Sequence, residues 1–184
     1  DTSGEALFKR GYRGAGEASM RENLAVGILR LIDWQPGVAL FDPMCGSGTF
    51  LTEAAMIAAD MAPGAYRRFG FEKLKAHDAK SWQSVRDRAR MRKKTLAEIG
   101  IDGSDQSSDA INLARENLAA LGVESAVSLK TANVLETSAP VPSGLIVTNP
   151  PYGVRMDDEK QLAEFYPQLG DVLKKKYSGW TAYI

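Results

Sequence analysis

Hydrophobic positions along this 184-residue chain follow two alternating patterns, one helical and one extended. Met20, Leu24, Ile28 and Leu31 recur at helical spacing and predict an amphipathic helix to about residue 33. Ser19 and Glu22 stand ahead of it at the S-x-x-E spacing of a capping box. Gln35-Pro36-Gly37 ends that helix, and the short apolar run 38–41 then suits a buried strand closing on Asp42-Pro43. A second helix is expected over 49–61, stopped by Pro63-Gly64, and residues 64–80 carry no period. Trp82, Val85, Ala89, Leu96 and Ile99 form a broken apolar stripe that predicts a helix over 81–99. Residues 100–105 read as a strand end with a turn. Ile111, Ala114, Leu118 and Leu121 then mark one face of a helix capped by Ser107 or Ser108 and closed by Gly122. Strands follow at 126–130 and 144–148. A last helix is expected over 159–176, interrupted or started by Pro167, before a strand that begins at Trp180.

Strands alternating with helices predict an α/β fold, a doubly wound and mostly parallel sheet with helices on both faces. The length suits one domain, residues 1–184, with 1–36 as a helical lead-in and 64–99 as an insertion. The pattern stops inside a strand, which leads one to expect a fragment of a longer protein, truncated before the last strands of its sheet.

Composition narrows the function classes by exclusion. Apolar residues make up 44% and charged residues 25%, ordinary values for a globular domain. No apolar run approaches the roughly 20 residues that span a bilayer, and no segment reads as a signal peptide. A lone cysteine, Cys45, excludes an internal disulfide framework and fits a cytoplasmic setting. One His and one Cys leave no zinc site, so no metal is expected. Net charge is zero, yet its distribution is uneven: between Tyr66 and Lys94 stand 11 Lys/Arg against 3 Asp/Glu. That excess can mark a polyanion surface, with Arg67, Arg68, Arg86, Arg90 and Lys93 as candidate nucleic-acid contacts; a merely solvated basic helix is the other reading.

Three strand ends carry candidate chemistry. Asp42-Pro43-Met44-Cys45-Gly46-Ser47-Gly48-Thr49 lies where the first strand hands over to a helix, where glycines let a ligand approach backbone N–H groups. It lacks both the third glycine of the dinucleotide fingerprint and the G-K-[ST] ending of a P-loop. Asp105 ends the second strand, where a carboxylate can reach ribose hydroxyls; Asp102 falls within the strand and ranks lower. Asn133 follows the third strand with a donor-and-acceptor amide. After the fourth strand comes Asn149-Pro150-Pro151-Tyr152-Gly153, where two prolines impose a stiff extended turn on Asn149 and Tyr152.

In that order, DPMCGSGTF, GSD and NPPYG resemble the S-adenosylmethionine-dependent amino-methyltransferases. KRGYR at 9–13 and MREN at 20–23 make the chain similar to bacterial 23S rRNA guanine-N2 methyltransferases with an upstream RNA-binding THUMP domain. The resemblance implies a Rossmann-like class I methyltransferase fold, S-adenosylmethionine as cofactor and large-subunit rRNA as partner. It implies that Asp42 and the loop Met44, Cys45, Gly46, Ser47, Gly48 and Thr49 hold the methionine portion of the cofactor. Asp105 would bind the ribose and Asn133 the adenine edge, an Asn where the family commonly has Asp. Asn149, Pro150, Pro151 and Tyr152 would form the catalytic turn, with Asn149 also bordering the cofactor. Enzymes that methylate adenine N6 in DNA, or a protein glutamine, share this tetrapeptide, and a non-catalytic cofactor- or RNA-binding fragment is a further alternative.

Overall fold

The structure, a computed structural model, describes residues 6–13, 20–96, 100–152 and 156–184, with side chains of the last stretch from residue 160. Ser19 of the expected capping box, Ile99 and Gly153 lie outside the described residues.

The first strand, β1 (Leu40–Asp42), is the centre of a five-stranded sheet ordered β3-β2-β1-β4-β5, every pair parallel. From β1 the chain steps outward to β2 (Ile101–Asp105) and β3 (Val127–Thr131), then returns to the other side of β1 as β4 (Gly144–Val147), followed by β5 (Trp180–Tyr183). This is the doubly wound arrangement, and the reversal between β1 and β4 makes a crevice at the C-terminal ends of those strands.

Successive side chains of a strand point to opposite faces, and β1 shows the consequence. Leu40 joins the larger core beneath α1 (Glu22–Leu31), α2 (Thr49–Ala58) and α4 (Ser108–Leu121). Phe41 instead packs on the other face with Ile146 and Tyr177, its ring 5.9 Å from that of Tyr177 just beyond α5 (Met156–Lys176). α2 is apolar nearly all round because it is buried nearly all round; only Ile57 among its ten residues is not fully covered. Gly48, at φ 76°, supplies its left-handed N-terminal turn, where an added Cβ would stand 3.0 Å from the Ala114 Cβ.

Element ends differ from expectation where side chains intervene. α1 starts at Glu22 with Arg21 as N-cap and no side-chain cap. α3 (Ala79–Arg92) starts earlier than Ser81 because Asp78 accepts hydrogen bonds from the Lys80 and Ser81 N–H groups. Residues 101–105 form a full strand, and Pro167 lies inside α5 rather than at its start.

The KRGYR segment is an architectural tie. Arg10 is buried against Glu53 of α2 at 3.3 Å, and Arg13 donates to the Thr49 hydroxyl at 2.8 Å and pairs with Glu22. Burial holds the Glu53 carboxyl above its ordinary range despite the opposing pull of Arg10. Arg10→Met leaves that carboxylate unpaired, and urea unfolding is expected to show a loss of about 3–5 kcal/mol. Replacing Glu53 by Met as well should restore most of it; a single variant as stable as wild type would show that the pair contributes nothing.

Candidate active site

The C-terminal ends of β1, β2, β3 and β4 open into one cleft of about 790 Å³. Of the residues singled out in the sequence, Met44, Gly46, Asp105, Asn133, Asn149, Pro150, Pro151 and Tyr152 line it. Residues some 100 apart in the chain are brought together by the strand reversal alone.

Asp105 is the joint of one side of the cleft. Its two carboxylate oxygens each accept one backbone N–H at 2.9 Å, from Gly46 and from Ser107. A carboxylate has about four acceptor positions, so two remain for a ligand's hydroxyls. The Asn133 Oδ1 accepts the Leu135 N–H at 3.0 Å, an Asx turn that leaves the amide NH2 and one oxygen lone pair to address a ligand. The acceptor oxygen that the sequence offered at this position thus has one of its two lone pairs taken by the backbone.

The NPPY turn forms the other half. Pro150 is buried, Asn149 is half-buried, and the Tyr152 ring is 69% exposed, open to a planar partner. The Tyr166 hydroxyl of α5 donates to the Pro151 carbonyl at 3.1 Å, fixing the turn from the helix side.

Five of the expected cofactor residues sit behind the cleft instead of lining it. Asp42 is 2% exposed, and its Oδ1 accepts from the Thr148 hydroxyl at 2.8 Å and the Met44 N–H at 3.2 Å. It therefore props the loop and the β4 end. Cys45 is buried towards Gly103, its N–H given to the Ser104 carbonyl, and burial pushes its thiol up, against any nucleophilic role. The Ser47 carbonyl accepts from the Asn117 amide, Gly48 packs on Ala114, and Thr49 is held by Arg13.

Sequence reasoning missed Pro43, Gln106, Val134 and Leu135, and also Gln161, Leu162 and Phe165 of α5. The first four adjoin the singled-out positions, a signal that could have found them. The α5 wall depends on how that helix packs, which no local pattern states.

The basic segment between Tyr66 and Lys94 lies elsewhere. The Lys93 ammonium and the Tyr66 hydroxyl both donate to the Leu121 carbonyl, at 3.1 and 3.2 Å, at the C-terminal end of α4. That is the N-terminal edge of the strands, opposite the cleft. Arg68, Arg90 and Lys93 are exposed there and Arg86 is half-buried. Arg67 is a correction: it is 8% exposed, donates to the Ala6 and Lys9 carbonyls and stacks over Phe69, so it is part of the interior, not of a basic surface. Among the described residues no His/Cys/Asp/Glu cluster suits a metal, and no helix is long and apolar enough to cross a membrane.

A parallel α/β sheet with a glycine loop, an acidic second-strand end and an NPPY turn at its switch point defines the class I methyltransferase architecture. The family model described as UPF0020: RMKL-like, methyltransferase domain matches residues 10–184, and the chain belongs to that family. It is 45% identical to the ribosomal RNA large subunit methyltransferase K/L of Shewanella amazonensis, over 97% of this chain and 26% of that protein. Among solved structures, SMU.472 complexed with SAH superposes with a TM-score of 0.90 at 36% identity, over 99% of this chain and 48% of that one. A predicted N6-adenine-specific DNA methylase from Listeria monocytogenes superposes equally well, with a TM-score of 0.90 at 33% identity over the same shares. The chain thus spans about a quarter of the length of the curated relatives it matches and about half of these solved chains.

Asp42 has no basic partner among the described residues, and burial raises its carboxyl to about 7, against the lowering effects of Thr148 and Met44. Between its ordinary value near 3.8 and 7 the unfolded chain has shed a proton that the folded chain keeps. Stability from this group therefore falls as pH rises through that window. Asp42→Asn removes the effect, so the variant should gain on wild type by a few kcal/mol between about pH 4 and pH 7 in urea unfolding. A constant difference across the window would show that Asp42 titrates normally.

Proposed function

We propose that the chain is the methyltransferase domain of a longer cytoplasmic enzyme, one that methylates the exocyclic N2 of a guanine in large-subunit rRNA with S-adenosylmethionine. The observation that carries this reading is the meeting of Asn149-Pro150-Pro151-Tyr152 with Asp105 and the glycine loop in one cleft. An upstream RNA-binding module of the THUMP kind belongs to the same proposal, as does the division into a lead-in at 1–36 and an insertion at 64–99.

The residues present fit the cofactor. Asp105 keeps acceptor positions for ribose hydroxyls, and Asn133 lines the cleft together with the apolar Val134 and Leu135, a setting for an adenine ring. The Met44–Gly46 backbone borders the space for the methionine portion, with Asp42 and Thr49 supporting it from behind. When bound, S-adenosylmethionine supplies an electrophilic methyl group on a sulfonium.

What the chain must do follows from the acceptor. An exocyclic amine conjugated with its ring is a weak nucleophile, so its lone pair has to be aimed. The Asn149 side-chain oxygen and the Pro150 carbonyl accept the two amine hydrogens, and the exposed Tyr152 face stacks on a base drawn out of its helix. Positioning and electrostatics supply the rate enhancement, and the proton leaves to solvent once the nitrogen is alkylated. The name of the curated relatives supports rRNA over DNA; the likeness to the Listeria protein supports an adenine acceptor less strongly, at lower identity.

In the full-length protein, Asn149→Ala should lower kcat on unmethylated large-subunit rRNA by about 100-fold or more and leave the Kd for S-adenosylmethionine within about twofold. Losses of equal size in both would assign Asn149 to the cofactor and remove it from the acceptor.

A further inference from the structure

At the strand edge opposite the cleft, the insertion encloses a second cavity of about 390 Å³ between residues 61–69 and α3. Its wall is apolar and aromatic: Met61, Phe69, Trp82 and Val85. The Trp82 ring is held in place by a stacked pair of rings, at right angles to Phe69 at 5.5 Å and to Phe71 at 4.9 Å. Its buried indole N–H has no acceptor among the described residues, an unmet donor beside the cavity. The rim is cationic, with Arg86, Arg90 and Lys93 beside the exposed Tyr66. The acids of this face are few: Asp87 stands 3.7 Å from Arg90, and Asp60 is taken up by Arg92 at 2.7 Å.

An apolar and aromatic wall bounded by three cations selects among ligands. A small anion makes no use of the wall, and an apolar peptide makes no use of the cations. A nucleotide uses both, through a stacked base and a phosphate. The volume suffices for one, since ligand sites begin at about 300 Å³.

We propose that this cavity is a second RNA-contact site, which takes one unpaired nucleotide with its base against Trp82 and its phosphate at Arg86, Arg90 and Lys93. It rests on the RNA substrate proposed above. Because it opens at the far edge of the sheet, the nucleotide it holds is not the one that is methylated. The site grips flanking RNA and so contributes affinity, not chemistry.

The test is fluorescence anisotropy of the full-length protein with a short fluorescein-labelled oligouridylate. Val85 is 43% exposed on the rim, so Val85→Glu places a carboxylate in the cavity without disturbing the core. The expected result is a Kd raised by about tenfold or more, as for loss of one stacked base, with Val85→Ala close to wild type. Thermal stability and the Kd for S-adenosylmethionine should be unchanged in both. Wild-type affinity in Val85→Glu would overturn this site alone, while a wild-type protein that binds neither the oligonucleotide nor rRNA would overturn the RNA reading as well. Normal RNA binding by Val85→Glu, joined to new protease cleavage within 61–93, would assign the cavity to a protein segment and also overturn the proposal.

Discussion

A buried hydrogen bond of 2.8 Å, from the Thr148 hydroxyl to Asp42, joins two residues 106 positions apart and sets the geometry of everything around it. It closes the C-terminal ends of β1 and β4 against each other at the point where the strand order reverses. The glycine loop leaves from one side of this stitch and Asn149 from the other. The same Asp42 oxygen accepts the Met44 N–H, so the loop's first turn and the end of β4 share one anchor. A carboxyl with no cation beside it is a costly anchor in a dry interior. Its two donors offset part of that cost, and its raised proton affinity shows that the remainder persists.

From this joint the two halves of the cleft acquire separate supports. Asp105 reaches across to the Gly46 N–H and ties β2 to the loop, while Tyr166 reaches down from α5 to the Pro151 carbonyl. Rigid strands carry the Asp105 side of the cleft and a stiff proline turn carries the Asn149 side, so neither depends on the other's side-chain freedom. At the opposite edge the basic segment is bound to the α4 C-terminus through Lys93 and Tyr66. The cleft and the basic segment thereby lie at the two ends of the same strands.

Much of this was legible because the informative signals are local. Gly46 and Gly48, the Asn149 turn and the acid at Asp105 announce strand ends by residue type and order, and the sheet order then brings them together. What was not legible depends on tertiary packing. Nothing around Arg67 distinguishes it from Arg68, yet one is buried on backbone carbonyls and the other is exposed. Arg10 and Arg13 carry a family resemblance in sequence and turn out to be fastenings of α2, because Glu53 and Thr49 meet them only in the fold. Asp42 was expected among the residues that meet the ligand, and it is buried behind those that line the cleft. Gln161, Leu162 and Phe165 enter the cleft from a helix whose placement the periodicity of 159–176 does not contain.

The central claim is that this cleft presents a guanine amine of large-subunit rRNA for methylation, and nucleoside mass spectrometry of that RNA addresses it most directly. Cells lacking the gene should yield large-subunit rRNA short of one N2-methylguanosine, and the full-length gene should restore it. An unchanged N2-methylguanosine content in the deleted strain, or loss of N6-methyladenosine in its place, would contradict the account.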